Sequence, residues 1–91
     1  MASGPTKVLV VDDDPDLQEI LGICLRRWWG FEVTSAANGE EGARLADSYD
    51  PDIVLSDVMM PGTSGVSLLR TLRAEDSNRP VILMTGYSTG T

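Results

Sequence analysis

The sequence near the N-terminus reads Val8-Leu9-Val10-Val11-Asp12-Asp13-Asp14-Pro15. It opens with a continuous apolar run that is rich in β-branched side chains, as is typical of a strand buried on both faces of a parallel sheet. The run ends at a cluster of aspartates. Asp14 is a suitable N-cap for a helix, and Pro15 suits the first helical position because that position needs no backbone N–H. This stretch therefore predicts a buried strand that leads directly into a helix.

The helix predicted after Pro15 has one apolar face. Apolar side chains recur there at intervals of three and four residues, which is the spacing of an amphipathic helix. The face comprises Leu17, Ile20, Leu21, Cys24, Leu25 and Trp28. Gly30 follows the last turn and predicts the end of the helix.

The rest of the chain continues the alternation of strand and helix. Strands are predicted at residues 31–34, 53–55 and 81–84, and helices are predicted after Asn38 and after Ser64. The order is βαβαβαβ, which predicts an α/β fold with a parallel sheet and right-handed crossovers. In open sheets of this kind, ligands bind beyond the carboxyl ends of the strands.

Length and composition limit the possible functions. A chain of 91 residues predicts one small domain, expected at residues 7–91, after a polar segment at residues 1–6 that is expected to be disordered or derived from the expression vector. The net charge of -7 opposes direct nucleic-acid binding but suits a cation. A single cysteine and the absence of histidine exclude an internal disulfide, a zinc cluster and a histidine-dependent triad within the chain. No apolar run is long enough to span a bilayer, so a cytoplasmic protein without membrane contact is expected.

Polar side chains follow three of the predicted strands. Asp12 and Asp13 follow the first strand, Asp57 follows the third, and Thr85 follows the fourth. If these strands are adjacent and parallel, the side chains converge at one edge of the sheet. Clustered carboxylates repel one another unless a cation lies between them, and Mg²⁺ suits a site with oxygen ligands. Asp57 is the best-placed nucleophile for a phosphoryl group, and Thr85 offers a hydroxyl to a phosphoryl oxygen.

Each of these residues, taken alone, has a simpler interpretation. The aspartates at 12–14 are compatible with a solvated loop that caps a helix. Asp57 is compatible with a turn residue before Pro61, and Thr85 with a turn hydroxyl. Their joint placement after successive apolar strands favours the metal and phosphoryl site.

Three stretches of the chain resemble the receiver domains of bacterial two-component response regulators. The first is residues 8–15, quoted above. The second is Asp52-Ile53-Val54-Leu55-Ser56-Asp57-Val58-Met59-Met60-Pro61-Gly62, followed by Ser64-Gly65. The third is Pro80-Val81-Ile82-Leu83-Met84-Thr85-Gly86. The resemblance covers residues 7–89 and implies a flavodoxin-like fold with helices on both faces of a sheet of order 2-1-3-4-5.

The resemblance also implies a role for each site residue. Asp12 and Asp13 hold Mg²⁺ together with Asp57 and the backbone carbonyl of Met59. Asp57 accepts a phosphoryl group from a phosphohistidine of a sensor histidine kinase or phosphotransfer protein. Thr85 contacts the phosphoryl group and acts as the switch residue.

The chain departs from the family pattern after residue 91. The family continues with a fifth strand that carries a lysine, whereas the one lysine here is Lys7, at the start of the first strand. We therefore expect a truncated receiver, with sheet order 2-1-3-4 and impaired phosphotransfer. The strand at 81–84 then becomes an uncharged edge, which predicts a homodimer or oligomer.

Two other functions remain compatible with the sequence. A haloacid-dehalogenase-like phosphatase also uses a strand-end aspartate with Mg²⁺, but its Asp-x-Asp pair is not found at Asp57, where Met59 stands two residues on. The other alternative is a non-catalytic, degenerate receiver that serves as a dimerisation or interaction module.

Overall fold

The computed structural model describes residues 4–58, 65–75 and 78–84 of the chain. Strands and helices alternate along it. In chain order they are β1 (Lys7–Val11), α1 (Pro15–Trp29), β2 (Glu32–Ala36), α2 (Gly39–Tyr49), β3 (Ile53–Asp57), α3 (Gly65–Glu75) and β4 (Val81–Met84). The predicted order βαβαβαβ is therefore confirmed.

The four described strands form one parallel sheet in the order β2-β1-β3-β4. β1 lies between β2 and β3, with Val8 opposite Val33 on one side and Ile53 on the other. β3 pairs with β4, and Asp57 stands opposite Met84. The predicted order 2-1-3-4 is confirmed, and the carboxyl ends of β1, β3 and β4 lie at the same edge of the sheet.

Helices pack on both faces of the sheet. On one face, α2 and α3 enclose a core cluster that comprises Leu9, Val11, Ala36, Ala46, Val54, Leu68 and Leu72. On the other face, Leu21 and Leu25 of α1 pack against Val8, Val10 and Val33. Alternate residues of β1 thus point to opposite layers, and both sets are fully buried, as the apolar run predicts.

The helix ends follow local sequence signals. The Asp14 side chain accepts a hydrogen bond from the Asp16 N–H, and Gly30 ends α1 in the left-handed conformation with φ of 67°. At α2, the Asn38 side chain accepts from the Glu41 N–H at 2.9 Å, and the Glu41 carboxylate accepts from the Ala37 N–H at 2.8 Å. Among the described helices, none combines the length and the apolar character needed to cross a membrane.

The structure differs from the sequence prediction on one face of α1. Ile20 and Trp28 belong to the predicted apolar face, yet 57% and 73% of their surfaces are exposed. The helix packs on β1 and β2, so only the side that carries Leu21 and Leu25 meets the sheet. β2 also extends to Ala36, two residues beyond the predicted strand, because its pairing with β1 continues to Val11.

Candidate functional site

Asp12, Asp13 and Asp57 converge at the carboxyl edge of the sheet. One carboxylate oxygen from each of them lies within 4.8 Å of the other two. The convergence follows from the topology, because β1 and β3 are adjacent and parallel and Val11 stands opposite Ser56. The two other predicted site residues, Met59 and Thr85, lie outside the described residues.

Asp12 is the buried member of the cluster, with 2% of its surface exposed. Its Oδ1 accepts a hydrogen bond from the Asp14 N–H at 2.8 Å. Its Oδ2 is buried, and no donor among the described residues reaches it. Burial raises the pKa of the Asp12 carboxyl, and the negative charges of Asp57 and Asp13 act in the same direction, against the opposing effect of the Asp14 N–H. The site therefore contains a carboxylate oxygen that lacks a compensating positive charge.

Asp57 is half-buried at the last position of β3, and Asp13 is exposed. Backbone pairing continues past Asp57, since the Val58 N–H donates to the Met84 carbonyl at 2.9 Å. The Ser56 hydroxyl donates to the Asp57 carbonyl at 3.1 Å. The main chain at Asp57 is thus held in the sheet while its side chain reaches the edge where Asp12 and Asp13 lie.

The donor set fits a hard divalent cation. It consists of three carboxylates, which are the ligands that Mg²⁺ and Ca²⁺ prefer, and it contains no sulfur or imidazole. A small number of protein ligands leaves room for water, which favours Mg²⁺. Asp12 Oδ2, which finds no donor in the part of the chain that the structure describes, supports this fit independently, since a buried carboxylate oxygen without a donor is costly unless a cation binds it.

Gln18 is a residue near the cluster that the sequence did not single out. Its side-chain Nε2 donates to the Asp12 carbonyl at 2.6 Å and to the Ala36 carbonyl at 3.0 Å. The Asp12 N–H also donates to the Ala36 carbonyl, at 3.0 Å. A single glutamine in the first turns of an amphipathic helix carries no sequence signal for such contacts, because they join three separate elements.

Lys7 lies at the opposite end of β1 from the acidic cluster, as predicted. Its Nζ donates to the Tyr49 carbonyl at 3.1 Å and lies 5.3 Å from the centre of the Tyr49 ring. Because β1 separates Lys7 from Asp12, the one lysine of the sequence does not serve the acidic cluster.

With the fold and the cluster established, comparison with known proteins identifies the family. The family model described as the response regulator receiver domain matches residues 8–91. The chain belongs to the response regulator receiver domain family. The receiver is therefore a module of two-component signalling, as the sequence motifs predict.

The receiver is similar to proteins of known name and structure. It is 42% identical over 81 residues to the probable transcriptional regulatory protein TcrX of Mycobacterium tuberculosis, covering 89% of this chain and 34% of that protein. It is 42% identical over 79 residues to the DNA-binding response regulator MtrA of Mycolicibacterium smegmatis, covering 87% of this chain and 34% of that protein. The structure matches the response regulator TrrA of Thermotoga maritima, solved in complex with Mg²⁺-BeF, with a TM-score of 0.86 and 37% identity over 91% of this chain and 71% of that one.

The structural match confirms the flavodoxin-like fold, whereas the curated relatives are much longer than this chain. The receiver spans about a third of the length of TcrX and MtrA, at 34% of each. MtrA is named as DNA-binding, so the relatives give no support to the prediction that this protein makes no direct contact with nucleic acid. For the 91 residues themselves, that prediction continues to rest on the net charge of -7.

Proposed function

We propose that this receiver, in the cytoplasm, accepts a phosphoryl group on Asp57 from the phosphohistidine of a sensor histidine kinase or phosphotransfer protein. Asp12, Asp13 and Asp57 would hold Mg²⁺, with the backbone carbonyl of Met59 as a further ligand and Thr85 as the phosphoryl contact. The observation that carries the proposal is the approach of the three carboxylates, through one oxygen from each, to within 4.8 Å of one another beside a buried Asp12 whose Oδ2 has no donor among the described residues.

Asp57 is assigned as the nucleophile because the other two carboxylates are less suited. Asp12 is buried, and its Oδ1 is occupied by the Asp14 N–H. Asp13 is exposed on the loop after β1, whereas Asp57 is half-buried and its main chain is held in the sheet. A half-buried carboxylate at a strand end that is held in the sheet can be reached by a donor and starts from a fixed main-chain position, which favours an aligned attack.

The transfer exchanges one bond for another. A carboxylate oxygen of Asp57 forms a bond to phosphorus, and the bond from phosphorus to the donor imidazole nitrogen breaks. The nitrogen keeps the electron pair and takes a proton from solvent. When bound, Mg²⁺ offsets the negative charge of the carboxylates and of the phosphoryl oxygens.

Asp57 labelling tests this proposal. The 91-residue protein is incubated with acetyl phosphate and MgCl₂, and the intact mass is followed for the addition of one phosphoryl group. We expect Asp57→Asn to abolish the addition and Asp47→Asn, an exposed substitution on α2, to leave it unchanged. Equal labelling of the parent and Asp57→Asn would refute the assignment.

The rate of labelling should be low in this chain. Lys7 is the one lysine in the sequence, and it lies at the far end of β1 from the cluster. Removing one preorganised electrostatic contact from a reacting oxygen typically lowers a rate about 10²–10³-fold. We therefore expect labelling slower by roughly that factor than in a receiver with a lysine beside its acidic cluster, measured with the same donor and Mg²⁺ concentration.

A second candidate is a non-catalytic receiver that acts as a dimerisation or interaction module. β4 lies at an edge of the described sheet, and Ile82 on it is 52% exposed. An uncharged edge strand with exposed apolar side chains favours pairing with a second copy. Sedimentation with and without Mg²⁺ and beryllofluoride distinguishes the candidates. A dimer whose oligomeric state does not change with the two ligands supports the interaction module. A change in oligomeric state when both ligands are added supports the phosphoacceptor.

A further inference from the structure

We infer that Gln18 is a positioning residue for the acidic site, because its side-chain amide holds the main chain of Asp12 against the end of β2. The consequence for Mg²⁺ binding rests on the proposed function. The geometric part concerns the metal-free protein and is tested separately.

The Asp12 carbonyl needs a donor that the sheet does not provide. β1 pairs with β2 only as far as Val11, which stands opposite Ala36. The Asp12 N–H still finds a partner, the Ala36 carbonyl at 3.0 Å. The Asp12 carbonyl lies beyond this pairing, and Gln18 Nε2 donates to it at 2.6 Å. A buried backbone carbonyl without a donor is costly, so Gln18 replaces the missing ladder bond.

The same amide nitrogen also forms a hydrogen bond with β2. Gln18 Nε2 donates its second hydrogen to the Ala36 carbonyl at 3.0 Å, so that carbonyl receives both Gln18 and the Asp12 N–H. Both partners of Gln18 are carbonyl oxygens, which only accept hydrogen bonds. The nitrogen of the amide, and not its oxygen, must therefore face them.

Gln18 is itself fixed by the start of α1. Its N–H donates to the Asp14 carbonyl at 3.0 Å. The Asp14 N–H in turn donates to Asp12 Oδ1 at 2.8 Å. Asp12 is thus tied to the start of α1 through its carbonyl and through its Oδ1, while its buried Oδ2 has no donor among the described residues.

Gln18→Met tests the role of the amide. Methionine has a similar length and fills a similar volume, but it provides no donor to either carbonyl. The matched control is Arg26→Met, which removes another bond from α1 to β2, the one from the Arg26 guanidinium to the Val33 carbonyl at 3.2 Å. Loss of the Arg26 charge can only favour a cation, so the control cannot lower Mg²⁺ affinity through charge.

Mg²⁺ affinity is measured by calorimetry at fixed ionic strength, and thermal stability by circular dichroism. Loss of a residue that orients a metal ligand typically lowers metal affinity about 10–100-fold, so we expect a Kd about tenfold higher in Gln18→Met. We expect Arg26→Met to bind Mg²⁺ as the parent does, even where its Tm falls by a similar amount. Unchanged affinity in Gln18→Met, or equal losses in the two variants, would overturn the inference.

Backbone ¹⁵N relaxation without Mg²⁺ separates this inference from the proposed function. Order parameters of Asp12 and Asp14 near about 0.85 are expected in the parent and in Arg26→Met, with a clear fall in Gln18→Met. If the parent fails to bind Mg²⁺ but this fall is seen, the metal proposal fails while the positioning role stands. Equal order parameters, or a Gln18→Met chain that does not fold, would overturn the positioning role.

Discussion

Asp12 combines burial with a charge that the metal-free protein does not neutralise. It is 2% exposed, its Oδ2 has no donor among the described residues, and the carboxylates of Asp13 and Asp57 are close by. Functional sites often contain such locally unfavourable groups at the expense of stability, and a single stabilising substitution in a protein commonly contributes about 0.5–2 kcal/mol.

We therefore predict that Asp12→Asn stabilises the metal-free protein by roughly 1 kcal/mol and removes Mg²⁺ binding. Removal of the charge relieves both the desolvation cost and the repulsion from Asp57. Urea unfolding in EDTA gives the free energy of unfolding, and calorimetry gives the Mg²⁺ affinity. Asp47→Asn on α2 is the control for the loss of one negative charge from the whole protein, and an equal gain there would contradict the prediction.

Gly42 and Gly22 both lie within helices, but they differ in the space available for an added side chain. A Cβ added at Gly42 would lie 3.0 Å from Val11 Cγ2, in the packed layer between α2 and β1, whereas a Cβ at Gly22 would meet the movable end of Arg26 at 3.1 Å. We predict that Gly42→Ala destabilises the fold by about 1–3 kcal/mol through overpacking. Gly22→Ala should stabilise it by about 0.5–1 kcal/mol through helix propensity. Equilibrium urea unfolding measures both, and effects of the same sign would contradict the packing argument.

The sequence predicted which aspartates form the acidic cluster, but it did not predict the burial and the contacts of each one. Asp12, Asp13 and Asp57 follow apolar strands, and parallel strands must bring their ends together. The burial of Asp12 and its contact with Gln18 depend on how α1 lies against β1 and β2. No local pattern encodes that placement, because the Ala36 carbonyl is 18 residues away from Gln18.

Arg79 lies just before β4 and connects it to the segment between α2 and β3. Its side chain is 8% exposed. The Arg79 Nε donates to the Pro51 carbonyl at 3.0 Å, and a guanidinium nitrogen lies 2.9 Å from Asp50 Oδ1. The Asp50 side chain is 81% exposed, so solvent screens this ion pair. The bond to the Pro51 carbonyl is buried and contributes more to the attachment of β4.

We predict that Arg79→Met destabilises the fold by about 1–3 kcal/mol, because it leaves a buried carbonyl without its donor. Asp50→Asn should cost less than about 1 kcal/mol, since it removes only the screened charge, and asparagine tolerates the left-handed backbone at φ of 53°. Thermal and urea unfolding of the two variants check the difference. A larger loss in Asp50→Asn would show that the ion pair, and not the buried hydrogen bond, holds β4.

The sequence predicted the ends of the helices better than it predicted which side of a helix is buried. Asp14, Gly30 and Asn38 act through contacts within a few residues, so their identities predict where α1 and α2 begin or end. The covered face of α1 depends on its position over β1 and β2, and the predicted face therefore included Ile20 and Trp28, which are exposed.

For the whole molecule, the net charge of -7 and the acidic cluster both favour a bound cation. A ligand that binds only the folded state stabilises it by about 1.4 kcal/mol at ten times its Kd. In a domain of this size, that corresponds to a rise in Tm of roughly 5–10 °C.

We predict that Tm, measured by circular dichroism, is higher by this amount in MgCl₂ than in EDTA. NaCl at equal ionic strength should give a smaller rise, because it screens the overall charge without entering the cluster. In Asp12→Asn, the two salts should act alike; if they already act alike in the parent, the stabilisation comes from screening, and the cluster does not bind Mg²⁺.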